Sequence, residues 1–270
     1  MLKMKGKNMS RKHLGKSKLN KKILLIILLI LIVVCVIAYK LIEQDKEKEE
    51  ENYANILKNI QVTPTETETE RMLQVKELQK ENPDIVGWLE IEGTEINYPV
   101  LQDNDNEYYM THNYKKEYSK DGSLFLDKDY DWDIPSTNLL IYGHNNSNNK
   151  MFHNLLDYKD ESFYKEHPTI KFTTEKEDAE YEIIATFYSR VYYKSETNVF
   201  RYYYFLNAES EQEFNDYIEN SKQASLYDTG KTAEYGDQLI TLSTCSYHTE
   251  NGRFAVVARK NTWKKLQHVI

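Results

Sequence analysis

The chain has 270 residues, 40% of them hydrophobic, which suits one domain of ordinary size with appendages. Its charge is divided unevenly: residues 1–42 carry ten Lys and Arg and no acid, whereas the rest carries 25 basic and 43 acidic residues, a net charge of −18. This acidic balance argues against nucleic acid as a partner.

The N-terminal segment has the pattern of a membrane anchor. Residues 1–22 are basic, and Ile23–Tyr39 follow without a charge. At about 1.5 Å per residue, a helix over residues 23–42 spans a hydrocarbon core of ~30 Å, with Lys40 snorkelling. The basic flank predicts a cytoplasmic N-terminus and a single pass, with the remaining chain outside the cell.

Two alternatives for this segment stay open. A cleaved signal peptide shares the basic start and the apolar core, although the run is long for one and no A-x-A site follows. A lipoprotein signal is disfavoured because Val34 precedes Cys35 where a small residue is expected. We therefore interpret Cys35 as an inert apolar residue of the span.

Residues 43–70 have the composition of a solvated stalk, with a charge run at 43–51 and a Thr/Glu tract at 61–70. Apolar residues at helical spacing then predict a short amphipathic helix over residues 70–81, which Pro83 stops. We assign residues 71–270 to a single folded domain.

Short apolar runs bounded by turn residues predict that this domain is mainly β. Residues 85–101 are predicted to form two strands around Gly93, with Pro99 marking an edge or the end of pairing. Further strands are predicted at Ser123–Leu126, Asn138–Tyr142, Thr169–Thr174 and Tyr181–Val191, the last two joined by the charged turn 175–180, and helical turns at Met151–Tyr158.

A long connection, residues 192–237, precedes the last strands. Its first half is rich in aromatic residues, and its second half opens with the capping box Ser210-x-x-Glu213, which predicts a helix through Ser225. Most of the aromatic residues are interpreted as core, but long loops in compact domains are often functional, so part of the connection could wall a groove.

The C-terminal segment predicts a hairpin. Residues 238–245 alternate in the β manner, residues 246–252 form a polar loop, and residues 253–259 resume the alternation. Cys245 and Arg253 then face each other at the mouth of the loop. Arg259 lies about 20 Å further along the strand, so only Arg253 can reach the thiol.

Cys245 is the only cysteine outside the apolar segment, so no disulfide can form within the domain. An unpaired thiol in an oxidising compartment is either used in catalysis or buried as a structural residue. A catalytic thiol needs a base to take its proton and a cation to stabilise the thiolate and the oxyanion. Arginine suits the second task because it stays charged.

Six histidines lie beyond the apolar segment. His144 is the preferred base, because it follows a buried strand and is flanked by Gly143 and small polar residues. His248 lies in the hairpin loop and is predicted at the surface. The others are predicted to face solvent or to lie in the C-terminal tail: His112, His153, His167 and His268.

Other chemistries have no motif to start from. HExxH, CxxC, GxxxxGK[ST] and GxGxxG are all absent from the sequence. The acidic runs at 127–129 and 131–133 are predicted to form a solvated face, with weak calcium binding as a lesser alternative. We expect no cofactor and no metal.

Three motifs together resemble the sortases, membrane-anchored cysteine transpeptidases of Gram-positive bacteria. They are TLSTC at Thr241–Cys245, Gly252-Arg253, and IYGHN at Ile141–Asn145. Residues 84–102, the NEYYM that follows at 106–110 and the helix before the cysteine strand are similar to class B in particular. The resemblance implies an eight-stranded closed β-barrel with an N-terminal helix and a helix inserted before the cysteine strand, and makes residues 71–270 the catalytic domain.

The resemblance also implies roles for individual residues. Cys245 would attack the threonine carbonyl of a C-terminal sorting signal on a secreted protein, His144 would protonate the departing amine, and Arg253 would hold the substrate and the oxyanion. An amine of a peptidoglycan precursor or cross-bridge would resolve the thioester. Residues implied to line the groove are Ser243, Asn106, Met110 and Phe200, and Ser246 stands where some class B members carry an acid.

Two alternatives remain at this point. The same chemistry could polymerise pilins with a lysine acceptor, which product analysis would reveal. A non-catalytic, membrane-tethered binding module with a structural thiol would instead keep its function after Cys245 is alkylated.

Overall fold

The computed structural model describes residues 21–59, 69–146 and 149–261, and the chain divides into two compact units, residues 1–58 and 59–270. In the first unit, helix α1 spans Lys21–Asn59. Its segment Ile23–Leu41 is long and apolar enough to cross a membrane, a test that a signal sequence also passes. The helix continues into the predicted stalk as far as Asn59; the basic residues 1–20 and the tract at 60–68 lie outside the described residues.

Helix α2 spans Glu70–Glu81, as the periodicity predicts. It begins at the N-cap Thr69, whose hydroxyl accepts a hydrogen bond from the Met72 amide at 3.3 Å. Met72, Val75 and Leu78 are buried, so one apolar face of the helix packs into the domain.

The described residues of the domain form eight strands: β1 Ile85–Glu90, β2 Asn97–Leu101, β3 Leu124–Leu126, β4 Asn138–Gly143, β5 Thr169–Thr173, β6 Asp178–Arg190, β7 Leu239–Cys245 and β8 Gly252–Lys260. They close into a barrel in the order β1-β2-β3-β4-β7-β8-β6-β5, which confirms the predicted fold. The β2–β3 and β4–β7 pairs are parallel, and the other pairs are antiparallel.

Pro99 marks the end of pairing on one side of β2, which is one of the two predicted alternatives. It pairs with Trp88 of β1, but β2 pairs with β3 only from Val100 onward, beyond the residue that lacks an amide hydrogen. One local prediction differs from the structure. The β5–β6 turn is shorter than 175–180, because the Thr174 amide donates to the Glu177 carbonyl at 2.7 Å and β6 already begins at Asp178.

Short helices lie in the connections between the strands. The helical turns predicted at 151–158 are a 3₁₀ helix over His153–Lys159, followed by α3, Glu161–Glu166. Two further 3₁₀ helices span Tyr108–Met110 and Tyr202–Tyr204.

The predicted helix in the long connection is α4, Glu211–Ala224. Ser210 accepts from the Glu213 amide at 3.2 Å, and the Glu213 carboxylate accepts from the Glu209 amide at 3.0 Å, so the cap closes one residue earlier than the standard box. The face that α4 buries comprises Phe214, Tyr217, Ile218 and Ser221.

The aromatic residues of the connection are mostly core. Tyr202 and Phe205 are buried, and Phe205 stacks on Tyr217 with ring centroids 4.0 Å apart. Tyr193 and Tyr204 are exposed. The connection thereby covers β7, the strand that ends at the cysteine.

Candidate active site

The cysteine hairpin forms in the predicted register. Cys245, the last residue of β7, pairs with Arg253 of β8, while Arg259 pairs with Leu239 at the opposite end of the ladder. The Ser246 amide donates to the Gly252 carbonyl at 2.9 Å. A Cβ at position 252 would lie 2.2 Å from the Ser246 carbonyl oxygen, so only glycine fits where the loop re-enters the strand.

His144 comes to the cysteine through the parallel β4–β7 ladder. The ladder ends at the pair Gly143↔Thr244, and the Thr244 hydroxyl donates to the Gly143 carbonyl at 2.7 Å. His144 and Cys245 are the next residues of the two strands and therefore leave the barrel side by side. Both are half-buried, so each contacts the barrel on one side and solvent on the other.

The ring of His144 is held by a backbone carbonyl. Its Nε2 lies 2.7 Å from the Met110 carbonyl oxygen. Because a carbonyl can only accept, Nε2 carries a hydrogen and Nδ1 is the ring nitrogen left to exchange a proton. Gly122 packs on that carbonyl at a φ of +62°, and a Cβ there would lie 2.6 Å from the Met110 oxygen.

Arg253 carries a positive charge on the residue that pairs with Cys245. Its Nη1 donates to the Gly252 carbonyl at 3.0 Å, and no carboxylate within the described residues forms an ion pair with it. Burial raises the pKa of Tyr142 and of Tyr202, and the Arg253 charge acts against that rise in both. The guanidinium therefore lies near two phenol groups and is free to receive an anion.

Asp127 is buried, so the prediction of a solvated face is wrong for this residue. Its carboxylate accepts from Tyr142 at 2.9 Å and from Asn106 at 3.0 Å, which satisfies a charge that would otherwise be costly to bury. The Asn106 carbonyl oxygen of the side chain accepts from the Lys128 amide at 2.8 Å. Asn106, a predicted groove residue, is therefore fixed in orientation with one side-chain N–H to spare.

The other predicted groove residues lie in different settings. Ser243 is buried and shares a 2.7 Å hydrogen bond with Tyr202. Met110 is 40% exposed, beside its contact with His144. Phe200 is half-buried against Phe187, with centroids 5.8 Å apart. That these residues bind substrate stays a prediction, as do the catalytic roles of Cys245, His144 and Arg253.

Sequence reasoning missed a second histidine near the site. His153, predicted to face solvent, is half-buried, and its Nδ1 lies 2.9 Å from Asn145 Oδ1. Asn145 Nδ2 donates in turn to the Cys245 carbonyl at 3.1 Å. The only sequence signal was that Asn145 follows His144 directly.

The other histidines that the structure describes each bond a nearby group. His112 and His167 each bond a backbone carbonyl through Nδ1, at 2.8 and 2.7 Å, and are less exposed than predicted. His248 is exposed as predicted, 3.0 Å from the Ser246 hydroxyl, and His268 lies outside the described residues. In the part of the chain that the structure describes, no group of three His, Cys, Asp or Glu side chains could hold a metal ion.

A closed barrel with a cysteine, a histidine and an arginine at one set of strand ends is typical of a thiol acyltransferase. A family model described as Sortase domain matches residues 89–261. Sortase B of Listeria monocytogenes (serovar 1/2a, strain EGD-e) is 38% identical over 185 residues, which cover 68% of this chain and 72% of that protein.

Solved structures agree. The Staphylococcus aureus sortase B–substrate complex superposes with a TM-score of 0.69 at 26% identity, covering 82% of this chain and 98% of that one. A sortase B complexed with triglycine gives 0.69 at 28% identity, with 80% and 98% covered. The chain belongs to the sortase family and is a class B cysteine transpeptidase.

Proposed function

We propose that this class B sortase cleaves a C-terminal sorting signal of secreted proteins after threonine and transfers them to an amine of a peptidoglycan precursor or cross-bridge. The proposal is based on the pairing of strand β7 with β8 on one side and with β4 on the other. This pairing sets Cys245 opposite Arg253 and beside His144. Acyl transfer from an amide to an amine needs a nucleophile, a proton carrier and a fixed cation, and these residues supply all three.

In the first half-reaction Cys245 gives its proton to Nδ1 of His144, and the thiolate attacks the threonine carbonyl carbon. Arg253 stabilises the resulting oxyanion. When the C–N bond breaks, the proton on Nδ1 passes to the departing amine, and the threonine remains as a thioester on Cys245. The hydrogen bond from Nε2 to Met110 keeps Nδ1 available for both transfers.

In the second half-reaction a neutral amine attacks the thioester carbonyl. Nδ1 of His144 takes a proton from the attacking nitrogen, the C–S bond breaks, and the thiolate recovers that proton. The product is an amide, and the enzyme returns to its starting state. That a related sortase B is solved in complex with triglycine supports a peptide amine as the acceptor.

Substrate contacts are proposed for four residues. Asn106 has a spare N–H, and Met110 is exposed beside His144. Phe200 lies beside Tyr202, with ring centroids 6.5 Å apart, and Tyr202 bonds Ser243 of β7. We assign residues 23–42 to the membrane, with residues 1–22 inside and residues 71–270 at the outer face beyond a stalk at 43–70. The length and composition of Ile23–Leu41 support the membrane span, and the basic residues 1–22 are the basis for the proposed orientation.

The test is cleavage of a peptide library by the full chain in detergent, read by mass spectrometry. Wild type and Cys35→Ala should cleave after threonine and show a thioester adduct on the domain, whereas Cys245→Ala should do neither. Adding lysine or short peptide amines separates pilin-type from wall-type acceptors. Cleavage by Cys245→Ala, or turnover without an adduct at Cys245, would overturn the proposal.

A further inference from the structure

A side-chain relay connects His153 to the main chain of the cysteine. Asn145 Nδ2 donates to the Cys245 carbonyl at 3.1 Å, and Asn145 Oδ1 lies 2.9 Å from His153 Nδ1. The Cys245 carbonyl can only accept, which fixes the orientation of the Asn145 amide. Oδ1 must then accept as well, so Nδ1 of His153 carries a hydrogen.

The relay lies where regular pairing has stopped. The β4–β7 ladder ends at Gly143↔Thr244, one residue before His144 and Cys245. Asn145 lies two residues beyond the end of β4, and its side chain bonds across to the last residue of β7. This hydrogen bond therefore extends the connection between strands β4 and β7 past the bond from Thr244 to Gly143.

Asn145 is itself held in place by its own loop. It forms an isolated bridge with Met151, and the Phe152 amide donates to the His144 carbonyl at 2.8 Å. His153 follows directly as the first residue of its 3₁₀ helix, so the helix sets the direction from which Nδ1 approaches. The loop thereby gives His144 and the Cys245 carbonyl a common support.

We infer that Asn145 and His153 are positioning residues. They fix the position of the Cys245 main chain relative to His144, so that the thiol and the imidazole are aligned for proton transfer and attack. The inference rests on the proposed function of that pair. Neither residue is assigned a contact with substrate. Their effect is on the alignment of reacting groups, where displacements of about 1 Å can cost on the order of 100-fold in rate.

The expected effect falls on kcat. In His153→Leu, Asn145 Oδ1 loses its donor and the amide no longer has a fixed orientation toward Cys245. We expect kcat to fall about 10- to 100-fold with KM nearly unchanged, since no substrate contact is removed. His153→Asn, which can place an N–H near the Nδ1 position, should restore most of the rate.

The experiment measures peptide cleavage by full-length wild type, His153→Leu, His153→Asn and the control His167→Leu. His167 also donates through Nδ1 to a loop carbonyl, that of Glu92, but has no bond to a neighbour of the cysteine. In ¹⁵N-histidine-labelled wild type, NMR should show neutral His153 protonated on Nδ1. This measurement decides the matter even if the leucine variant does not fold.

The results separate this inference from the proposed function. If Cys245→Ala and His144→Ala abolish cleavage while His153→Leu matches wild type, the relay has no positioning role and only this inference fails. A neutral His153 protonated on Nε2 alone would overturn it as well, as would an equal kcat loss in His167→Leu or no recovery in a folded His153→Asn. If Cys245→Ala still cleaves, the proposed function fails first.

Discussion

Replacing Arg253 by lysine keeps a positive charge beside Cys245 but removes the planar fork. In the wild type, Nη1 donates to the Gly252 carbonyl at 3.0 Å and lies 3.5 Å from the Asn251 carbonyl oxygen, so the loop holds one arm of the guanidinium. The other nitrogens remain for an oxyanion. A lysine ammonium donates from a single nitrogen, so it cannot bond the loop carbonyl and the oxyanion with the geometry that the guanidinium provides.

The magnitude follows from which interaction is lost. Removing one donor to an oxyanion costs about 100- to 1000-fold in kcat, on the order of 3–4 kcal/mol. Lysine keeps the charge that favours the thiolate, so the alkylation rate of Cys245 by iodoacetamide should change little. We therefore expect Arg253→Lys to lose about 100-fold in kcat with a nearly normal alkylation rate.

The assay is steady-state cleavage of a fluorogenic sorting-signal peptide. Arg259→Lys is the matched control, since Arg259 lies on the same strand but pairs with Glu182 at 3.2 Å, away from the cysteine. The control should keep its kcat. A near-normal kcat in Arg253→Lys would remove Arg253 from the oxyanion role. A parallel loss of alkylation would show that the guanidinium geometry acts on the thiolate rather than on the oxyanion.

Three further predictions concern the supports of the site. Tyr202→Phe leaves the buried Ser243 hydroxyl without its 2.7 Å partner and should cost about 1–3 kcal/mol in urea unfolding; adding Ser243→Ala should recover part of that loss, and no recovery would contradict the bond. Gly122→Ala should destabilise the protein by more than about 1 kcal/mol and slow turnover, because its Cβ would strike the Met110 carbonyl that holds His144. Gly230→Ala has a similar positive φ and open space, so it isolates the backbone cost and should leave turnover intact. Burial raises the pKa of Glu182, but hydrogen bonds from Lys231 and Arg259 outweigh it and hold the pKa below the ordinary value of a glutamate. The stability that ionised Glu182 adds is present above the pKa of an ordinary glutamate and is lost as the pH falls through its lowered pKa. The unfolding free energies of wild type and Glu182→Gln should therefore converge on acidification, and a gap independent of pH would refute this.

The sequence predicted those parts of the site that depend on local pattern. Alternation along residues 238–259 set Cys245 opposite Arg253, because a strand repeats every two residues and the loop between was short. Helix α4 followed from its cap and its apolar spacing. The side-by-side arrangement of His144 and Cys245 was beyond such reasoning, since it depends on a parallel pairing across about 100 residues that only barrel closure brings about.

Buried polar contacts were the other limit. Asp127 lies in an acidic run, and such runs usually face water; its burial depends on Tyr142 and Asn106, which are distant in the sequence. The hydrogen bond between Asn145 and His153 likewise could not be predicted from sequence periodicity, because loop residues do not repeat along one face. Charge and composition predict exposure well only where no distant partner compensates for burial.

The position of the C-terminal hairpin within the barrel has a consequence for assembly. β7 and β8 fill the gap between β4 and β6, and they are the last strands in the described chain. A polypeptide that ends before residue 238 would leave β4 and β6 as open edges, prone to pairing with other chains, and would also lack the thiol and the guanidinium. The barrel is therefore completed by the same segment that carries the proposed nucleophile and cation, so we expect a truncated product to be inactive.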